Sequence, residues 1–357
     1  MKTLYIASSF RHTGKHLMSL GIMKELMLKK KKIGFFSPVG LMPIKKGKGY
    51  IDQDTEFLRK TLGLKEPSSL VCPVVLDSKL MKQAATGKAH KNLEKIEKAY
   101  DKLSRGKDIM VVLGFGNIWS GTCIGVDQVS LIRKMDAQVL LVCPGDIEIH
   151  DTVDHLVPVK KAIEKNLIGV VFNRIPRAHL ESFRQEIVIP LKKRYGIDTL
   201  GLIRMDNQLG SITVRRLFSL LNARIICGRD HLEEPVERFA IGAMNLESAT
   251  RYFRQIRNKA VITGGDRSDI QLAAIETNTK CLILTGKNLH PAPIIVSRAD
   301  ELGIPIAEVA TDTFTVVDAV EHLFGHTAFR DEVKARRAAE IVRKNVNLNR
   351  IFRKLGI

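Results

Sequence analysis

The stretch of this chain best equipped for chemistry is Ser8-Ser9-Phe10-Arg11-His12-Thr13-Gly14-Lys15-His16. An apolar run, Leu4-Tyr5-Ile6-Ala7, precedes it and reads as a strand. Leu17 to Met27 follow and read as a helix. A tight loop with Gly-Lys between strand and helix aims backbone N–H groups and a helix N-terminus at an anion, and the lysine adds a full charge. Gly14 and Lys15 meet the phosphate-loop pattern G-x-x-x-x-G-K-[ST]. Ser9 stands at its first glycine, and His16 at its magnesium-binding hydroxyl. A loop so altered can hold a nucleotide without turning it over.

Other strand ends carry further candidates. Asp52 and Asp54 flank Gln53 after Phe36-Ser37-Pro38-Val39-Gly40. Their carboxylates either face a Mg²⁺ ion or cap a helix, and both readings stand. Asp108-Ile109-Met110-Val111-Val112-Leu113-Gly114-Phe115-Gly116 has the form of a strand that delivers an acidic group to a metal, but leucine stands where the acid belongs. Phe172-Asn173-Arg174 brings an amide and a guanidinium to another strand end. These residues give the candidate nucleotide site as Ser9, His12, Thr13, Gly14, Lys15, His16, Asn173 and Arg174, with Asp52 and Asp54 for Mg²⁺. Later in the chain, Gly265, Asp266 and Arg267 follow one apolar strand, and Thr285 and Gly286 follow another. They form a second candidate site for a small ligand or a subunit interface; the plainer reading is two glycine turns, with Asp266 capping a helix and Arg267 holding an anion or Asp266.

Elements that alternate along the chain must position these loops. Candidate strands are Thr3–Ala7, Lys32–Phe36, Ile109–Leu113, Gln138–Val142, Gly169–Asn173 and Thr199–Ile203. Helical spacing falls at Leu93–Ser104, Asp151–Lys165 and Arg177–Arg194. This alternation predicts an α/β fold with a parallel sheet covered by helices, and ligands at the carboxyl ends of its strands. A second block has strands at 223–227, 260–263, 281–285 and 305–307, and helices at 269–277, 294–302 and 315–323. It reads as a smaller α/β domain. The predicted organisation is 1–207, 208–327 and a basic helical tail over 328–357.

At 357 residues and 45% hydrophobic content the chain can bury two cores. The formal charge of +19 favours anionic partners. The basic residues are dispersed, without interleaved aromatics, which disfavours nucleic acid. No apolar run is long enough for a bilayer, and the N-terminus enters a strand directly, without a signal-peptide pattern. Five scattered cysteines fit a reducing, cytoplasmic setting.

Set side by side, the loop at 8–16, Gly34-Phe35-Phe36-Ser37-Pro38-Val39, Asp52 with Asp54, and Gly169 to Arg174 resemble the dethiobiotin synthetase-like P-loop proteins. The likeness is greatest to the non-catalytic N-terminal region of long phosphate acetyltransferases. Gly265-Asp266-Arg267 and Thr285-Gly286 resemble a DRTGG domain, with Lys287 in place of a glycine. The resemblance implies binding of ATP or another nucleotide, with Mg²⁺ in the catalytic relatives. It also implies a glutamate at the position of Leu113 and a lysine at that of Ser37. Because the acetyltransferase domain would follow residue 357, the expectation is a regulatory binding protein with little turnover and no acetyl transfer. Its expected partners are a nucleotide or small phosphorylated ligand, other copies of itself and a metabolic enzyme, with no membrane. Two alternatives stay open: an ATP- and Mg²⁺-dependent ligase or weak ATPase, and a docking protein for an acidic partner that has lost nucleotide binding.

Overall fold

The computed structural model describes all residues except 48, 88–90, 287–288 and 326–331, so Lys287 lies outside the described residues. It divides into two compact units, Met1–Met205 with Phe329–Ile357, and Asp206–Ala328.

In the first unit, β1 (Lys2–Ser8), β2 (Ile33–Phe36), β3 (Ile109–Leu113), β4 (Gln138–Pro144), β5 (Leu167–Ile175) and β6 (Thr199–Arg204) build one sheet. The order is β6-β5-β4-β1-β3-β2. Every neighbouring pair is parallel. Leu4, Tyr5, Ile6 and Ala7 are fully buried, as are Val111 and Val112. Such unbroken apolar runs suit strands covered on both faces, each Leu or Ile contributing about 1.5–3 kcal/mol by burial. β1 lies between β3 and β4, where the chain's connections diverge to opposite sides of the sheet. The loop leaving β1 therefore opens at the switch point where parallel α/β sheets take ligands.

Helices α1 (Lys15–Leu28), α2 (Gln53–Thr61), α3 (Asn92–Ser104) and α4 (Ile149–Ile163) cover the sheet or its loops. The predicted helix over 177–194 is instead broken into a 3₁₀ turn, a short α turn, a π segment at Arg184–Val188 and a final helix from Ile189. Pro190 explains the widening, because it has no N–H for the carbonyl four residues back.

The segment predicted as a basic tail does not stand apart. Its helices, Glu332–Asn345 and Leu348–Leu355, bury Ala338, Ile341, Val342, Ile351 and Phe352. Gly21 in α1 admits the first of them: a Cβ there would lie 2.5 Å from Val342 Cβ. Asn347 N–H donates to Leu200 O at 2.7 Å, and Lys354 Nζ to Ile168 O at 2.6 Å. The basic residues lie outward while the apolar stripe of each helix is drawn into the first unit. The sequence reading gives the helices but not the stripe or what it would cover.

The second unit holds a five-stranded sheet of β7 (Arg224–Cys227), β8 (Arg238–Ile241), β9 (Lys259–Gly264), β10 (Thr279–Thr285) and β11 (Ile306–Val309), ordered β7-β11-β10-β9-β8. β8 to β11 run parallel and β7 pairs antiparallel to β11. β8 and the helix Leu246–Gln255, capped by Asn245, are elements the sequence pattern did not separate from their surroundings. No described helix is long and apolar enough to cross a membrane.

Candidate functional site

The site forms where β1 ends and α1 begins. Gly14 caps α1 at φ 99°, a conformation suited to glycine, and a Cβ there would sit 2.3 Å from Asn173 Nδ2. Asn173, at the end of β5, donates that amide to Thr13 O at 2.8 Å. Arg174 donates to His12 O at 3.3 Å and to Asp146 Oδ1 at 3.1 Å. Ser9 is buried, and its N–H donates to Val142 O at 3.3 Å. Residues 9–16, 173 and 174 are thus assembled at one edge of the sheet. Asn173 and Arg174 brace the loop through its carbonyls.

Lys15 is the charge at the centre. It is 6% exposed, and its ammonium donates to Ser8 Oγ at 2.6 Å and to Gly116 O at 2.5 Å. Both acceptors are neutral, and no carboxylate lies within ion-pair distance of it among the described residues. Burial, with Arg11 adding like-charge repulsion, lowers its pKa to about 7. Thr13 is fully buried, and among the described residues its hydroxyl has no hydrogen-bond partner. Such an orphan costs about 1–3 kcal/mol. A cation without a counter-charge, a hydroxyl without a partner and the N-terminus of a 14-residue helix form an arrangement that an anion completes.

Two residues outside the sequence-derived site hold this geometry. Gly116 supplies the carbonyl that takes both Lys15 Nζ and Ser8 Oγ. Gln128, 1% exposed, accepts from Tyr5 Oη at 3.0 Å and from Phe115 N–H at 3.2 Å, and donates to Phe115 O at 2.6 Å and to Asn117 O. It fixes the loop after β3. A backbone acceptor and a lone glutamine leave no pattern; only the glycines at 114 and 116 marked this loop.

The candidate metal residues separate. Asp52 is buried and caps α2: Oδ1 accepts from Thr55 N–H and Thr55 Oγ1, both at 2.7 Å, and Oδ2 accepts from Met42 N–H at 2.8 Å. Oδ1 caps the helix and Oδ2 holds Met42 N–H, so of the two readings left open the cap is the one the structure displays. Asp54, in the first turn of α2, faces His16, with Oδ2 3.7 Å from Nε2. Leu113 is 2% exposed and Ser37 3%. Among the described residues no group of three or more His, Cys, Asp or Glu is placed to hold a metal. Mg²⁺ takes hard oxygen donors in octahedral geometry. A carboxylate that faces an imidazole, itself a poor ligand for a hard cation, fits it badly.

In the second unit Gly265, Thr285 and Gly286 do meet. Gly265 N–H donates to Thr285 O at 3.0 Å, and Thr285 Oγ1 lies 2.6 Å from Thr313 Oγ1. Their glycines serve packing: a Cβ at Gly265 would meet Leu289 O at 2.4 Å, and one at Gly286 would meet Leu289 Cδ1 at 2.6 Å. Asp266 does not cap the following helix, whose N-cap is Arg267 without a side-chain bond. Arg267 pairs instead with Asp269 through two bonds of 3.0 Å and donates to Met244 O. Asp269, in the first turn of that helix, takes the guanidinium for which the sequence leaves an anion or Asp266 as partner.

A parallel α/β sheet with a Gly-Lys loop at its switch point defines a P-loop-type nucleotide-binding fold. The chain belongs to the AAA domain family, whose model matches residues 2–213. A DRTGG domain matches residues 216–323. The phosphate acetyltransferase of Synechocystis sp. is 24% identical over 97% of this chain and 50% of its own length. The chain thus spans about half the length of the curated relatives it matches. The ATP-dependent dethiobiotin synthetase BioD of Caldicellulosiruptor saccharolyticus is 27% identical over 48% of this chain and 74% of its own. A solved complex of a Cyanothece McdA variant with ATP aligns with 58% of this chain and 85% of that one, at 15% identity and TM-score 0.37.

Proposed function

We propose that the first unit binds a nucleotide, with ATP the leading candidate, and turns it over slowly or not at all, so that binding serves as a regulatory signal. The observation that carries the binding reading is the buried Lys15 ammonium, held by two neutral oxygens at the N-terminus of α1 and lacking a counter-charge among the described residues. A phosphate supplies that charge and accepts from the loop N–H groups. Slow turnover follows from the catalytic side. Phosphoryl transfer depends on positioning and charge neutralisation. Leu113, Ser37 and His16 stand where the resemblance implies a glutamate, a charge-stabilising lysine and a metal-binding hydroxyl. Loss of a single electrostatic group of this kind commonly costs about 10²–10³ in rate. The ATP-dependent synthetase and the phosphate acetyltransferase among the relatives support a nucleotide-linked metabolic setting, and the DRTGG domain supports a regulatory one. In this reading the second unit responds to a further ligand or joins copies of the chain.

The test is a thermal-shift and calorimetric survey of ATP, ADP, GTP and acetyl phosphate on the full chain and on Lys15→Met. Saturable stabilisation of the wild type alone is expected. No binding at millimolar nucleotide, or equal binding by the variant, refutes the reading. Phosphate release above background that vanishes in Asp54→Ala would favour the ligase or ATPase instead.

A further inference from the structure

The residues at the mouth of the loop disagree with the cation that the resemblance implies, and the disagreement is specific. Lys15 turns inward to Gly116 O, so the next residue of α1, His16, stands at the mouth beside Asp54. Asp54 is the carboxylate of α2 that faces this point, while Asp52 is engaged by two capping bonds from Thr55 and a third bond from Met42 N–H. The end of β3 offers Leu113. An imidazole is a weak ligand for Mg²⁺ but a good N–H donor to a phosphate oxygen. Its Nε2 lies 3.7 Å from Asp54 Oδ2, so the pair sets imidazole and carboxylate against one another where a hydrated cation would have to enter.

Resting on the nucleotide-binding reading above, we infer that this site takes its nucleotide without a divalent cation, the His16 imidazole standing in the metal's place and Asp54 orienting it. The orphaned Thr13 hydroxyl and the uncompensated Lys15 then meet the phosphates directly. A metal-free site also explains why substitution at three positions can coexist with an intact Gly14-Lys15 turn: binding uses the loop, and only metal-assisted transfer needs the rest. Added Mg²⁺, by complexing free ATP, leaves apparent affinity unchanged or lowers it.

The experiment is isothermal titration of the full chain with ATP in excess EDTA, then with Mg²⁺, Mn²⁺ or Zn²⁺ added. The same series is run on His16→Thr and His16→Ser, with melting curves to verify folding. The wild type is expected to bind in EDTA, with Mg²⁺ strengthening affinity by no more than about threefold. His16→Thr frees Asp54 and restores a hydroxyl, so Mg²⁺ should strengthen its binding by about tenfold or more. Wild-type binding that requires Mg²⁺, or that Mn²⁺ or Zn²⁺ raises about tenfold, overturns the inference while leaving the nucleotide site intact. Folded His16 variants as indifferent to Mg²⁺ as the wild type would also overturn it. Absence of ATP binding under every condition overturns the nucleotide site itself, and this inference with it.

Discussion

Lys15→Met should raise the stability of the unliganded protein. The lysine's pKa falls from 10.5 to about 7 on burial, so its charged form is disfavoured in the folded state. Between those values the unfolded chain binds more protons than the folded one, and stability rises with pH through that window. The penalty is complete below pH 7. At 1.36 kcal/mol per unit, a shift from 10.5 to about 7 amounts to about 5 kcal/mol. By pH 9 most folded Lys15 is neutral and about 2 kcal/mol remains. Methionine keeps the buried stem and discards the charge, and Ser8 Oγ still reaches Gly116 O at 3.0 Å. If half the penalty is recovered, Tm rises by about 5–10 °C at pH 6, shrinking toward pH 9. Thermal unfolding followed by circular dichroism across that range is the assay. With ATP at about a hundred times its Kd, the wild type gains about 2.7 kcal/mol and the variant nothing, so the order narrows or inverts. A variant less stable than wild type at pH 6, or a difference that does not change with pH, would refute the account of Lys15 as an uncompensated buried charge.

Nucleotide affinity should fall as pH rises above about 7, because the free protein loses the Lys15 proton that the phosphate favours, while phosphate itself is already ionised there; calorimetry from pH 7 to 9 measures this. Asn173→Ala removes the bond to Thr13 O and should cost about 1–2 kcal/mol of stability with a parallel loss of affinity, read by denaturant melts and titration. Asp52→Ala should cost about 1–2 kcal/mol as a lost cap, yet leave the response of ATP binding to Mg²⁺ unchanged. Gly21→Val should collide with Val342 and loosen the closing helices, so that limited proteolysis cuts within 332–355 sooner than in wild type.

The parallel sheet was legible because its strands are buried on both faces and read as plain apolar runs. The Gly14-Lys15 turn was legible because one backbone angle and one charge identify it. Asp52 was ambiguous for a physical reason: capping a helix and binding a cation ask for the same residue type at the same strand end, and only the positions of Thr55 and Met42 decide. Gly116 acts through its carbonyl, which no side chain announces. Residues 332–355 looked like a tail because their charges dominate the composition, whereas packing depends on the narrow stripe of Ala338, Val342, Ile351 and Phe352.

Binding without turnover is tested most directly by mixing the full chain with a sub-stoichiometric amount of γ-labelled ATP, recovering the complex by rapid filtration after long incubation, and analysing the bound nucleotide. Retention of intact ATP on the wild type, and none on Lys15→Met, is the expected result. Label recovered as inorganic phosphate, with unlabelled ADP left behind, or label that never stays with the protein, would contradict it.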